Sequence, residues 1–450
     1  MILGFVFGLL VGCADETKQT EEEPNTSTEA EQDTADSAVD TDVEPESPPL
    51  SLRTEFGSED TLNVEVDDIF AIWWDPAFDH SQDLAQMFQW LKEIRYDCLD
   101  NLDMEDPPNP SAGYYYNVYI HHGEEDSFPN WWGNGQGTDT YGMPYLTLPN
   151  GAHLDHGNIL HEGFHVFQYS ANSPGFSYSG DSQWYVESAA QWYQAQKLPN
   201  EEMTFVEAGA IVENPQLALW HSFSNEAPGD PTDWLYQVRQ YGMHTYLYYL
   251  TAVAGVDSEI ISGGFYAQTD LSPQAYHFDN VGGDILRSHF ADWAARNTGG
   301  LDYLTDAQVA RAWLEVDLVG DPNNRHPLVG EFTDGDAEGD FQPPSDFLPR
   351  GWGYNVIKIN NTAAAKYTFV LSGDGQGSEG ADAHFAGRIV VMGATGPQYT
   401  EVNMSGSRNG MGAVDVLSSD TSVFLVVAAV PEHFSGNQTY GYTVQIIRDE

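Results

Sequence analysis

The chain has 450 residues, 41% hydrophobic and 13% aromatic, enough to bury one large core or two moderate ones and too apolar for a disordered protein. Its 69 acidic against 16 basic residues give a formal net charge of −53. That balance excludes a charged face for nucleic acid or anionic lipid head groups, since phosphate contacts need clustered Lys and Arg, and it suits a solvated extracellular protein in saline surroundings.

The first thirteen residues are apolar and end Leu10-Val11-Gly12-Cys13. This run resembles the lipobox of bacterial lipoproteins, in which the cysteine is lipidated and becomes the mature N-terminus. Residues 1–13 are therefore expected to be a signal peptide, and Cys13 a lipid anchor into a membrane. The run lacks the basic residues of a full leader, which points to a start upstream. Ala14 rather than aspartate follows the cysteine, so the resemblance implies the outer membrane or surface of a bacterial cell envelope, or secretion.

Residues 14–52 contain almost no large apolar side chains, and Asp15 to Glu46 holds thirteen acids against Lys18 alone. Such a segment buries too little surface to offset chain entropy and is expected to be a disordered acidic tether. With Cys13 acylated no intramolecular disulfide remains, and Cys98 reads as a small buried apolar residue. No other apolar run is long enough to span a bilayer.

Residues 53–325 read as one α+β domain. Ile69 to Trp74 is an apolar run predicted as a buried strand, Leu84 to Leu99 an amphipathic helix, and Tyr114 to Ile120 an aromatic-rich strand. Met143 to Leu148 is a short strand whose Pro144 confines it to a sheet edge. Helices are predicted over Ile159–Tyr169, Tyr185–Lys197, Leu235–Ala254 and Gly283–Ala295, so a helical subdomain should follow the mixed sheet, with the functional site between the halves.

The Asp-, Gly- and Pro-rich stretch over 326–350 reads as a linker. Within it Asp334 to Asp340 resembles the start of a calcium loop without the glutamate that should stand at its twelfth position, so Ca2+ is a secondary cofactor candidate only. Residues 351–450 carry β-branched runs at Tyr354–Ile359, Lys366–Ser372, Phe385–Val391, Val423–Val430 and Tyr440–Ile447, which predict an all-β sandwich serving as an accessory domain.

The most specific signal is His161-Glu162-Gly163-Phe164-His165. On a helix, side chains four residues apart project from one face, so His161 and His165 can reach one metal ion and Glu162 falls beside it. A catalytic zinc keeps three protein ligands and a water, whose proton a nearby carboxylate can take. The spacing thus supplies two ligands and a general base. The third ligand needs a second helix presenting a carboxylate, and Trp184-Tyr185-Val186-Glu187-Ser188-Ala189-Ala190 offers one. His153 and His156 precede the motif helix and read as solvent-facing or capping residues.

HExxH followed by Trp-Tyr-Val-Glu-Ser-x-Ala resembles the gluzincin class of zinc metallopeptidases, and is similar to the uncharacterised and avirulence-type secreted bacterial proteins that share this core. The likeness covers roughly Asn63 to Thr251. It implies a zincin-like fold, with His161, His165 and Glu187 holding one catalytic Zn2+ and Glu162 as general base. Tyr241, ahead of Gly242, would stabilise the oxyanion, with His244 the next candidate. Where some gluzincins place aspartate four residues after the third ligand this chain has Gln191, whose amide oxygen would orient a ligand histidine. The expected activity is hydrolysis of protein or peptide substrates. The alternative is a non-catalytic surface lipoprotein that retains the fold and grips a glycan or peptide with Trp131, Trp132 and Tyr141.

Overall fold

The structure, a computed structural model, describes residues 50–54, 59–121, 135–139, 141–171, 173–221, 239–314, 327–373 and 382–449. Cys13, nearly all of the tether, Trp131 and Trp132 lie outside these residues. The fold is α+β, with helices and a mixed sheet followed by an all-β C-terminal region. Two compact units form, Met1–Leu84 with Pro108–His153, and Ala85–Pro107 with Leu154–Glu450. Among the described residues no helix is long and apolar enough to cross a membrane.

The first unit is a five-stranded sheet of β1 (Asn63–Val66), β2 (Phe70–Trp74), β3 (Tyr116–His121), β4 (Gly135–Thr138) and β5 (Pro144–Pro149), in the order β1-β2-β3-β5-β4. β2, β3 and β5 run parallel, and β1 and β4 close the edges antiparallel. Every residue of β2 and β3 is buried, which is why both read as continuous apolar runs rather than alternating ones. Trp73 donates its indole N–H to Asn117 at 2.8 Å, and Asn117 donates in turn to the carbonyl of Arg53 at 2.9 Å.

One expectation fails here. β5 is an inner strand, paired on both sides, and β4 is the edge. Pro144 is tolerated because it stands first in its strand, where a missing N–H removes no ladder bond that the interior needs. The carbonyl of Pro144 still accepts from the side chain of Asn109 at 3.2 Å.

The second unit takes in α1 (Leu84–Asp100) from Ala85 onward, α2 (His156–Ser170), α3 (Gln183–Lys197) and α4 (Gly209–Glu213). Beyond these come α5 (His244–Tyr248), α6 (Ser258–Gly263), α7 (Pro273–Val281), α8 (Gly283–Thr298) and α9 (Asp306–Ala312). Helix α5 passes into a π-helical turn over Tyr249–Val253. Cys98 is fully buried on α1, as a small apolar residue should be.

The C-terminal strands form two five-stranded sheets, β11-β10-β14-β8-β6 and β12-β13-β9-β15-β7. Their ranges are β6 Gly330–Thr333, β7 Gly339–Phe341, β8 Gly353–Asn360, β9 Ala365–Ser372, β10 Phe385–Gly393, β11 Gly396–Glu401, β12 Asn403–Met404, β13 Asn409–Val416, β14 Ser422–Ala429 and β15 Thr443–Asp449. One core draws on both sheets, with Ile357, Ile389 and Leu425 from one and Tyr367, Phe369 and Val444 from the other. The sandwich packs on α8, where the buried guanidinium of Arg388 meets Asp292 at 2.6 Å and the Ser288 hydroxyl at 2.8 Å.

The stretch read as a linker contains two of the sandwich's outer strands, β6 and β7. Only Phe332 and Phe341 betray them, their rings 5.6 Å apart at the edge of the core, too sparse a pattern to outweigh the surrounding Gly, Asp and Pro. In the calcium-like segment, the carboxylate of Asp334 accepts from the backbone N–H and hydroxyl of Thr362 and from the hydroxyl of Tyr367, so it is spent on internal bonds. No metal-holding group of three forms there among the described residues.

Candidate metal centre

Helix α2 starts where Asp155 accepts from the backbone N–H of Asn158 at 3.1 Å, an N-cap that satisfies one of the orphan donors of the first turn. Gly163, the weak helix former at the centre of the motif, is needed for packing. A Cβ there would lie 2.6 Å from Cδ1 of Ile94 on α1. The terminal methyl of Ile94 thus fills the space a side chain would take, at ~1 kcal/mol of helix propensity.

The helical period puts the rings of His161 and His165 side by side, centroids 4.8 Å apart and nearly perpendicular. Helix α3 brings Glu187 to them. The Nε2 atoms of the two histidines lie 3.2 Å apart, and each lies 3.4 Å from Oε2 of Glu187. A tetrahedral ion with bonds of about 2.0–2.2 Å separates its ligand atoms by about 3.3–3.6 Å, so the three atoms stand where zinc ligands would. Two nitrogens and one carboxylate oxygen are also a donor set that zinc accepts.

The atoms behind the rings agree. Nδ1 of His161 faces Oε1 of Gln191 at 3.0 Å, the partner expected from its position four residues after Glu187. Nδ1 of His165 faces Oε1 of Gln168 at 2.6 Å, and Gln168 donates from Nε2 to the carbonyl of Val186 at 3.0 Å. Gln168 was legible as a polar residue three positions after His165 on an otherwise apolar helix face, and sequence reasoning missed it. Its second bond reaches the residue before Glu187, so one side chain fixes the His165 ring and ties α2 to α3.

Glu162 is buried beside the ligands. Burial pushes its carboxyl above the ordinary range, while His161 and His165 pull the other way. Burial would lower the pKa of His165, but the Glu187 carboxylate, its bond to the ring and Glu162 outweigh that and push it up to about 9. Glu187 is held well below the usual carboxylate range, its burial overcome by the two histidines. Without metal, the site thus holds a proton between rings and carboxylate.

Tyr241 comes to the site, its ring centroid 6.1 Å from that of His161. Burial first, then the charges of Glu187, Tyr178 and Glu162, drive its hydroxyl far above the usual tyrosine range, so it stays a proton donor. Ser188 on α3 positions this segment by donating to the carbonyl of Gln240. His244 is fully buried and donates from Nδ1 to the carbonyl of Tyr241 at 2.8 Å; burial pushes it down to about 4 and keeps it neutral.

Two expectations about flanking histidines are corrected. His156 opens α2 half-buried, its ring stacked 4.6 Å from that of Trp90. His153 is neither capping nor solvent-facing: it is buried, with its ring 4.6 Å from that of His80 and its Nε2 3.4 Å from Asp83, which also lies 3.3 Å from Nδ1 of His80. These three and the His161 group are the two sets of three His, Asp or Glu among the described residues whose ligand atoms fall within 4.8 Å of one another. In the His80 set the backbone N–H of Gly151 donates to Nδ1 of His153 at 3.0 Å. That occupies the Nδ1 lone pair, leaves the ring proton on Nε2 toward Asp83, and removes the lone pair a metal would need. Tyr141, of the aromatic group, is exposed, with the Arg53 guanidinium 3.6 Å from its ring centre.

No protein-family model matches the chain, and no curated protein matches it. Among solved structures it is similar to the pre-peptidase C-terminal domain of a collagenase from Bacillus anthracis, at 7% identity and a TM-score of 0.19, over 27% of this chain and 98% of that one. The surface-associated copper-binding protein CorA of Methylomicrobium album BG8 aligns at 10% identity and a TM-score of 0.18, over 27% and 98%. A CBM35 domain from Cellvibrio japonicus aligns at 13% and 0.14, over 22% and 67%. Scores this low carry no argument about fold or function.

Proposed function

We propose that this protein is a zinc-dependent metallopeptidase of zincin-like fold, in which His161, His165 and Glu187 hold one Zn2+. The observation that carries the reading is the triangle of Nε2, Nε2 and Oε2 atoms with edges of 3.2 to 3.4 Å. When bound, zinc would supply an acidified water at neutral pH. Glu162, held next to the ligands and pushed towards neutrality by burial, would serve as general base, accepting a proton on its carboxylate and passing it to the leaving amine. Tyr241, kept protonated, donates to the developing oxyanion. Intact Glu162 favours a hydrolase over a pure binder, because a buried carboxylate costs stability and a binder has no chemical use for it. We place the protein at a bacterial cell envelope, anchored through a lipidated Cys13, on the Leu-Val-Gly-Cys run.

The test is metal analysis of the purified protein together with hydrolysis of a broad peptide library, run beside Glu162→Gln. One zinc per chain in both proteins and cleavage by the parent alone is the expected result. Zinc without cleavage of any peptide moves the reading to another carbonyl substrate or to a binder, and absence of zinc overturns the metal assignment.

A further inference from the structure

The orientation of Gln168 is decided by its partners. The carbonyl of Val186 can only accept, so the group 3.0 Å from it is the amide NH2, and Oε1 must be the atom facing His165. An acceptor 2.6 Å from Nδ1 keeps a proton on Nδ1, so Nε2, towards Glu187, is the nitrogen that gives up its proton and offers a lone pair when a metal binds. At His161 the Oε1 atom of Gln191 faces Nδ1 at 3.0 Å. Both amides are almost fully buried, so water does not compete for these bonds.

We infer that Gln168 and Gln191 are positioning residues that set the metal-binding tautomers of His165 and His161, and that as uncharged acceptors they hold the affinity for zinc below what a carboxylate in either place would give. The inference rests on the metal reading of this site. Its physical basis is the polarity of the ring: a carboxylate at Nδ1 draws that proton towards itself and makes Nε2 a stronger donor to the metal, whereas an amide fixes the same tautomer with little transfer of charge. The buried site already holds Glu162 and Glu187, and further carboxylates would add negative charge where no Lys or Arg makes an ion pair with either glutamate among the described residues. Amides orient the rings at no such cost.

The experiment measures the Zn2+ dissociation constant by chelator competition, and the visible absorption of the Co2+ form, for the full chain and for Gln191→Glu, Gln191→Leu and Gln168→Leu. The leucine variants are expected to bind zinc about 10- to 100-fold more weakly, and Gln191→Glu about 10-fold more tightly with a shifted cobalt spectrum. Loss of affinity in Gln191→Glu equal to that in Gln191→Leu overturns the inference, since it would mean that the amide only fills space. Unchanged affinity in all three variants overturns it too, while leaving the metal reading intact. A parent protein that takes up neither ion overturns both. If a leucine variant does not fold, Gln191→Glu, which keeps size and shape, decides the question alone.

Discussion

His161, His165 and Glu187 meet at edges of 3.2 to 3.4 Å, while His80 and His153 approach Asp83 at 3.3 and 3.4 Å. By composition and distance the two clusters are nearly alike. They differ behind the rings. In the first, both Nδ1 atoms face amide oxygens and both Nε2 atoms face Glu187. In the second, a backbone N–H occupies Nδ1 of His153 and turns its Nε2 into a donor. The carboxylates differ as well, with the side chain of Glu187 11% exposed and that of Asp83 28%. Proximity of ligand types does not separate the two clusters, whereas the partner of the far nitrogen does.

The comparison breaks most sharply on ligand deletion. His161→Ala or Glu187→Ala is expected to abolish stoichiometric zinc in metal analysis, while His153→Ala leaves it unchanged; equal loss in both clusters would erase the distinction. Next in size, Glu162→Gln should keep its zinc and lose about 10²- to 10⁴-fold in turnover, the range of a positioned general base, measured as kcat on a peptide that the parent cleaves.

Proton linkage is the third test. With His165 raised to about 9, the metal-free site is protonated at pH 7 and must release that proton on loading. Apparent zinc affinity should fall about tenfold per pH unit below about 9, read from titrations in buffers of differing ionisation enthalpy. The sign for the metal-free fold is opposite. The protonated ring stabilises it fully below the unfolded value of about 6.5, and that contribution is lost as pH rises through about 9, so metal-free melting temperatures should drop over that window. A metal-free protein whose stability does not change there would count against the Glu187–His165 pairing.

Smaller effects sharpen the account of how the helices are built. Gly163→Ala should change stability in denaturant unfolding by no more than about 1 kcal/mol, because the helix propensity it gains offsets the shift of Cδ1 of Ile94 that the new methyl requires. Asp155→Ala should cost about 1 kcal/mol through the lost N-cap of α2, with zinc content unaffected.

Much of the fold was legible. Buried strands such as β2 and helices such as α1 declared themselves because burial on one or both faces imposes a continuous or periodic apolar pattern. Outer strands β6 and β7 did not, since an edge that buries one phenylalanine leaves no periodicity to read. Pro144 misled for a related reason: its place as first residue of β5, not the proline itself, decides whether the ladder tolerates it.

By itself the sequence determined what lies within one helix of the chain: the 161–165 spacing that turns two imidazoles to one side, and Glu162 between them. Helix geometry is local and repeats every 3.6 residues, so these relations follow from position alone. Which distant groups complete them came from a resemblance rather than from spacing, and tertiary structure decided their distances. Glu187 and Gln191 arrive because α3 packs on α2, and Ser188 holds the carbonyl of Gln240 beside Tyr241. The pairing of His80 with His153, 73 positions apart, is of the same kind. Contacts between separate elements are set by which surfaces pack, and packing depends on the whole core rather than on any spacing along the chain.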